Sequence, residues 1–278
     1  MELWEGATPD LADPAVVGVY DEVPLWSAPF GLALLEAVEL RPNMVVLDVG
    51  CGTGFPLLEL AERLGPGARL HGVDPWAGAM ERLRHKLEAW RVETVVLHPL
   101  PIEEVPLPDA SVDLVVSNNG LNNCPDLDRA LAVCARLARP GAQLVFTANL
   151  PATMHRLYDA YRQAMAEAGH PELHRALQHH IDARRQPAEA LRAATERAGF
   201  EVLTAPERTF RWSFASAQAL FSHHFIRLAF LEPWRAVVPA ELRHDVLTRL
   251  IRILDAEAER HGSLALDVPW VCISARRS

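Results

Sequence analysis

The sequence predicts an α/β protein, a doubly wound and mostly parallel sheet with helical insertions late in the chain. Three observations predict it. Short β-branched runs alternate with amphipathic stretches through the first 150 residues, the rhythm of βαβ units. The run Val45–Val49 ends in a glycine-rich turn, Gly50-Cys51-Gly52-Thr53-Gly54, which opens straight into a helical pattern. Beyond residue 150 the alternation stops, and segments rich in His, Arg and Tyr take over.

Each element follows from its own pattern. Val45–Val49 is the first strand; Leu57, Leu58, Leu60, Ala61 and Leu64 then recur at helical spacing and Gly65-Pro66-Gly67 closes the helix. Arg69–Val73 is the second strand and ends at Asp74; Trp76, Met80, Leu83, Leu87 and Trp90 form one face of the helix after it. Residues 94–98 make a third strand, followed by a proline-rich loop over 99–108. Residues 112–117 make a fourth, apolar at its centre as a strand buried on both faces should be. Leu127, Ala130, Leu131, Cys134 and Ala138 mark a helix, and residues 142–150 the fifth strand. Residues 153–183 read as two helices broken at Gly169-His170-Pro171. A conventional helix over 187–198 stops at Gly199, and a strand runs from 201 to 209, extending as far as Trp212. Residues 214–232 read as one unusually apolar helix, 240–261 as another, and 265–275 as the closing strand.

Bulk properties narrow the class. At 278 residues the chain is near the upper limit of a single core, and half of it is hydrophobic. A formal charge of −9 without any basic run argues against nucleic acid and anionic membrane as partners, and favours a small-molecule substrate. No apolar run reaches membrane-spanning length, and the acidic opening Met1–Glu5 lacks the layout of a signal peptide. Four scattered cysteines without C-x-x-C spacing predict no disulfide framework and no metal, and a reduced, cytoplasmic setting. Lys86 is the only lysine in the chain.

The glycine turn carries the chemistry. A dinucleotide fingerprint is G-x-G-x-x-G, but here the third glycine comes one residue early, as Gly50-x-Gly52-x-Gly54, with Asp48 two residues before the first. This resembles motif I of the class I S-adenosylmethionine-dependent methyltransferases. The resemblance implies a Rossmann-like sheet of seven strands, the last antiparallel and inserted beside the fifth. It also implies S-adenosyl-L-methionine as cofactor, S-adenosyl-L-homocysteine as product, and a cofactor site at Asp48, Gly50, Cys51, Gly52 and Gly54. Asp74, 20 residues after Gly54, takes the place of the acid that grips the ribose, followed by Pro75 and Trp76. Trp76 packs either on the adenine or in the core. Related enzymes carry an adenine-binding acid in the third loop; Pro101 stands there instead, leaving Ile102 to offer its backbone N–H and an apolar wall.

After the fourth strand come Asn118, Asn119, Asn122 and Asn123, four asparagines in six residues. Some serve the turn, with Pro125 opening the next helix; on the functional reading, Asn118 or Asn119 touches cofactor and Asn122 or Asn123 faces substrate. The loop lacks the Asn/Asp-Pro-Pro-aromatic tetrapeptide of amino-methylating nucleic-acid enzymes. Tyr20 and Trp26, before the first strand, either fold over the methionine end of the cofactor or pack in the core. On helix 214–232, His224 falls on the apolar stripe as a core histidine and His223 beside it; either is a candidate general base.

The reading is S-adenosylmethionine-dependent methyl transfer to an O, N or C nucleophile of a small molecule by in-line displacement. A non-catalytic cofactor-binding protein on the same fold is the alternative. The domain plan places an N-terminal segment and the cofactor-binding half in residues 1–150, helical cap insertions at 151–186 and 213–263, a core helix and strand at 187–212 and the antiparallel core strand at 264–278.

Overall fold

The computed structural model describes residues 9–22, 26–183 and 185–278, with the side chains of residues 21 and 22 excepted. The acidic opening and residues 23–25, before Trp26, lie outside the described residues. By its contacts the chain divides into two compact units: residues 11–149, 186–208 and 270–278 form a sheet unit, and residues 9–10, 150–185 and 209–269 a helical unit.

The sheet has eight strands, with order β3-β2-β1-β4-β5-β8-β6 and β7 also pairing with β8. Strands β1 (Val45–Val49), β2 (Arg69–Val73), β3 (Val95–His98), β4 (Val112–Asn118) and β5 (Ala138–Asn149) are mutually parallel. Strand β8 (Leu264–Arg277) runs antiparallel to β5, with Val145 opposite Ser274, and β6 (Phe200–Thr204) runs antiparallel to β8 on its far side. The antiparallel strand beside the fifth is therefore where the resemblance puts it. The eighth strand arises because the predicted 201–212 strand is two: β7 (Glu207–Phe214) begins after an interruption at Ala205-Pro206, where the Pro206 carbonyl accepts from Cys272 N–H at 3.1 Å. Proline has no N–H for the ladder, so pairing lapses there and resumes on the other side.

The helices follow the sequence pattern through α3 (Leu57–Leu64), α4 (Ala77–Trp90), α5 (Leu127–Leu137) and α8 (Ala188–Arg197). Helices α1 (Pro14–Glu22) and α2 (Ala28–Ala37) precede the sheet. The backbone of α2 at Gly31 lies so close to its neighbours that an added Cβ would stand 2.1 Å from the Phe55 ring and 3.1 Å from Asn118 Nδ2. On α2, buried Phe30 meets Trp270 edge-on at 5.1 Å.

The helical unit contains α6 (His155–Glu167) and α7 (His174–Asp182), separated at Gly169 as the sequence predicts, and α12 (Arg243–His261) packed against α6. The single helix predicted over 214–232 is a correction. The chain makes three short helices instead, α9 (Ala217–Ser222), α10 (His224–Ala229) and α11 (Leu231–Ala236). His223 is extended, at φ −65° and ψ 126°, so the apolar stripe breaks there. With the helix broken, the predicted histidine placement reverses: His224 is exposed and His223 is the half-buried one. No helix among the described residues is long and apolar enough to cross a membrane.

Candidate functional site

The site grows from the carboxyl ends of β1, β2 and β4. Gly50 and Cys51 N–H both donate to the Val73 carbonyl, at 2.8 and 3.2 Å, which ties the turn after β1 to the end of β2. Gly50 then meets Gly120 backbone to backbone: an added Cβ on Gly120 would stand 2.1 Å from the Val49 carbonyl oxygen and 2.8 Å from Gly50 Cα. Ser117 locks the same junction, its hydroxyl donating to the Val49 carbonyl at 2.7 Å and accepting from Leu121 N–H at 2.9 Å. Gly52 differs. It has φ +52° and nothing within 4 Å of the position a Cβ would take. One face of the turn is packed and the other open.

Lys86, from α4, closes the turn, donating to the Thr53 carbonyl at 2.7 Å. Its uniqueness in the composition was visible; its target, 33 residues away, was not. Asp74 is half-buried, accepting from Gly52 N–H on Oδ2 at 2.9 Å and from Trp76 N–H on Oδ1 at 2.8 Å. Burial raises its pKa and those two N–H groups pull it back. Asp48 is fully buried, and neither carboxylate oxygen has a hydrogen-bond partner. Burial first and the Asp74 charge second push its pKa up to about 8, against a smaller downward pull from the Leu57 backbone N–H. Cys51 is buried in the turn, with its thiol pKa well raised by burial and then by the Asp48 and Asp74 charges; it is a small, unreactive turn residue.

Trp76 sits half-buried at the start of α4, its indole N–H donating to the Leu11 carbonyl at 2.7 Å and its ring 5.1 Å from that of Tyr20, edge to face. Tyr20 and Trp76 are thus brought together. The Trp26 ring lies 5.7 Å from that of core residue Phe30. Pro75 is exposed. Ile102 is buried on the short turn Ile102–Glu104, just after the exposed Pro101.

The asparagines divide by role. Asn118 spans from Ser27, whose carbonyl accepts from its Nδ2 at 3.2 Å, to Thr147, whose hydroxyl donates to its Oδ1 at 3.0 Å. Asn119 has φ +58°, and both its side-chain polar atoms are buried without a partner among the described residues. Asn122 donates to Asn149 Oδ1 at 2.9 Å and leaves its own Oδ1 unpartnered. Exposed Asn123 donates to the Asn119 carbonyl at 2.7 Å, a turn-forming bond. Sequence reasoning missed Ser117, Thr147 and Asn149, which hold the asparagines from neighbouring strands and carry no motif.

In the helical unit, His223 stands edge-on to Trp212 and Phe214, at 5.0 and 5.6 Å between ring centres. Its Nδ1 is buried without a partner, and burial, then the His224 charge, lowers its pKa. The imidazole is therefore neutral at pH 7. Among the described residues no three His, Cys, Asp or Glu side chains cluster as a metal site would require.

An antiparallel strand between β5 and β6, with a Gly-x-Gly-x-Gly turn after β1 and an acid closing β2, defines a class I methyltransferase fold and site. Residues 47–146 match the methyltransferase domain family. Over 275 residues the chain is 30% identical to the nocamycin O-methyltransferase of Saccharothrix syringae, covering 94% of this chain and 95% of that protein. The malonyl-[acyl-carrier protein] O-methyltransferase of Serratia marcescens is 33% identical over 152 residues, 54% of this chain and 56% of that protein. The chain spans about half the length of most curated relatives it matches. Among solved structures, a SAM-dependent methyltransferase from Aquifex aeolicus shares the fold, with a TM-score of 0.53 at 20% identity over 69% of this chain and 91% of that one. The chain belongs to the S-adenosylmethionine-dependent methyltransferases.

Proposed function

We propose that this chain binds S-adenosyl-L-methionine in the sheet unit and transfers its methyl group to an O, N or C nucleophile of a small molecule, leaving S-adenosyl-L-homocysteine. The observation that carries the reading is the fit of an unsatisfied site to a cationic cofactor. Asp48 is a buried carboxyl group with no side-chain partner, and holding it ionised there is costly, which pushes its pKa up to about 8. A positively charged ligand supplies the missing interaction. The open face of Gly52 admits close backbone approach, which a side chain would block. Each Asp74 oxygen spends one lone pair on a backbone N–H and keeps another, so the carboxylate can still accept from two vicinal hydroxyls.

When bound, the sulfonium supplies a methyl group already activated for displacement. The protein's own residues align and desolvate. Gly50, Cys51, Gly52 and Gly54 shape the floor, while Tyr20, Trp26, Pro75, Trp76 and Ile102 supply apolar surface. The Asn118 carboxamide, fixed at both ends, and the unpartnered Asn119 amide orient polar groups of the cofactor. Asn122 and Asn123 are assigned to the acceptor. In the helical unit, to which we assign acceptor selection, neutral His223 is the proposed proton acceptor for nucleophiles that must be deprotonated; exposed His224 is the second candidate. Oxygen is the favoured nucleophile because a relative matched along nearly its whole length is an O-methyltransferase.

The test is transfer of a labelled methyl group to a panel of small hydroxyl, carboxyl, amine and enol compounds. Transfer that Asp74→Ala abolishes supports the reading; cofactor affinity unchanged in Asp74→Ala refutes the site.

A further inference from the structure

The helical unit holds a buried arginine with no counter-charge among the described residues. Arg185 follows α7 and is only 7% exposed. Its Nη1 donates to the Thr153 carbonyl at 3.2 Å and its Nη2 to the Tyr158 hydroxyl at 3.1 Å. No carboxylate pairs with it among the described residues: Asp182, three residues before it, bonds to Gln178, and Asp159, next to Tyr158, pairs with Arg162. A guanidinium has five N–H donors, and here two bonds go to neutral oxygens. Nε makes no hydrogen bond, yet it is not among the polar atoms sealed from solvent.

Tyr158 adds a second unsatisfied donor. Its hydroxyl also accepts from the Trp234 indole N–H at 3.2 Å. A phenolic oxygen has two lone pairs and one proton. Arg185 and Trp234 occupy both lone pairs, so the proton needs an acceptor, and no described residue supplies one. Tyr158 is 1% exposed, and its ring lies 5.1 Å from the Arg185 guanidinium carbon. Tyr161, one helical turn on, does not take the proton; its own hydroxyl donates to the Trp234 carbonyl at 2.9 Å.

A buried cation beside a buried O–H that can only donate is a receptor for an anionic oxygen. We infer that Arg185 and Tyr158 form a carboxylate-binding site within the helical unit. Arg185 contributes Nε and its remaining Nη protons, and Tyr158 its hydroxyl proton. The site is a carboxylate receptor of the helical unit alone. It requires no covalent step, because the carboxylate is held and not altered at this position.

The experiment uses the full chain and calorimetric titration with sodium hexanoate and sodium benzoate, each beside its neutral amide. The carboxylates bind and the amides do not. Arg185→Gln weakens carboxylate binding by about 10- to 100-fold, the range for hydrogen bonds to a charged group. Tyr158→Phe, which removes one hydroxyl and keeps the ring, weakens it about tenfold and serves as the second variant if Arg185→Gln fails to fold. Titration with S-adenosylmethionine in the same variants is unchanged. Carboxylates that bind no better than amides, or that bind both variants like the parent, overturn the inference. Carboxylate binding without any S-adenosylmethionine binding leaves this site standing and removes the methyltransferase reading instead.

Discussion

Gly52 and Gly120 sit in the same few ångströms of backbone, yet an alanine at each should fail differently. At Gly120 the new methyl would stand 2.1 Å from the Val49 carbonyl oxygen, 2.8 Å from Gly50 Cα and 2.8 Å from Ser117 Oγ. The first two are backbone atoms fixed by the parallel register of β1 and β4, so relief requires the two strand ends to part by about 1 Å. Overpacking a tight site costs ~1–3 kcal/mol, and this one belongs at the upper end because no flexible side chain can yield. For a chain of this size each kcal/mol shifts Tm by ~2–4 °C, so Gly120→Ala should melt ~6–12 °C below the parent. At Gly52 there is nothing within 4 Å and only the φ of +52° resists a side chain, at ~1–2 kcal/mol. Gly52→Ala should therefore melt only ~2–8 °C lower but lose cofactor affinity, because its methyl occupies the face proposed for the ligand. Differential scanning calorimetry and S-adenosylmethionine titration on the two variants make the comparison. Gly120→Ala melting with the parent would show that the two loops do not meet as described. Gly52→Ala binding like the parent would remove the cofactor from that face.

The acids give further tests. Asp74→Ala should weaken S-adenosylmethionine by ~10- to 100-fold, the worth of charge-assisted hydrogen bonds, and calorimetric titration reads it directly. Asp48 titrates near 8 in the fold against an ordinary value of 3.8, so the native state holds a proton that the unfolded chain releases. Its contribution to stability is complete below pH ~4, falls as pH rises towards ~8, and is then lost. Asp48→Asn should flatten that slope in urea unfolding and melt above the parent at pH 8; a steeper slope contradicts the assignment. For the same reason, binding a cation beside Asp48 at pH 7 should expel a proton. The measured binding heat then varies with the ionisation enthalpy of the buffer, and a buffer-independent heat argues against contact with Asp48.

Elements set by local pattern were legible in advance, and those set by distant partners were not. Strands β1, β2 and β4 and helices α3 to α5 follow from their periodicity and from glycine and proline stops. The antiparallel position of β8 was implied by resemblance alone, since nothing in residues 265–275 specifies a partner. The 214–232 helix failed because its apolar stripe is continuous in sequence, whereas extended His223 and the Ser216 cap, whose hydroxyl accepts from Ala219 N–H at 3.1 Å, restart the chain. Pro233 falls in the first turn of α11, where a missing N–H costs nothing, so it gave no sign of the break before it. Helix α2 went unassigned, although Gly31 allows its close approach to Phe55 and Asn118. In the site, motif residues were legible and their supports were not: Thr147 is 29 residues from Asn118, and Asn149 is 27 from Asn122. Arg185 and Tyr158, 27 residues apart, acquire their meaning only from the burial of a charge.

The protonation states of these groups bear on which acceptors the enzyme can use. The side chains gathered at the ends of β4 and β5 are Ser117, Asn118, Asn119, Asn122, Thr147 and Asn149, amides and hydroxyls with no proton-accepting capacity near pH 7. Cys124, in the same loop, is no substitute, because burial and then the Glu103 and Asp74 charges push its thiol up to about 11 and keep it protonated. Asp48 is protonated at neutral pH until a cation binds, and Asp74 is committed to the turn. On the proposed function, the sheet unit contributes alignment and proton removal falls to His223 or to the acceptor's own acidity. A carboxylic acid is already ionised at pH 7 and needs no base, whereas an alcohol does. His223→Ala should consequently slow methylation of neutral alcohols by ~10²- to 10⁴-fold, the range for a lost general base, and spare carboxylates. On alcohols the parent rate should fall with acid only below pH 6.5, because burial and then the His224 charge hold the His223 pKa under its ordinary value. Equal losses on both acceptor classes would assign His223 to packing against Trp212 and Phe214, not to proton transfer.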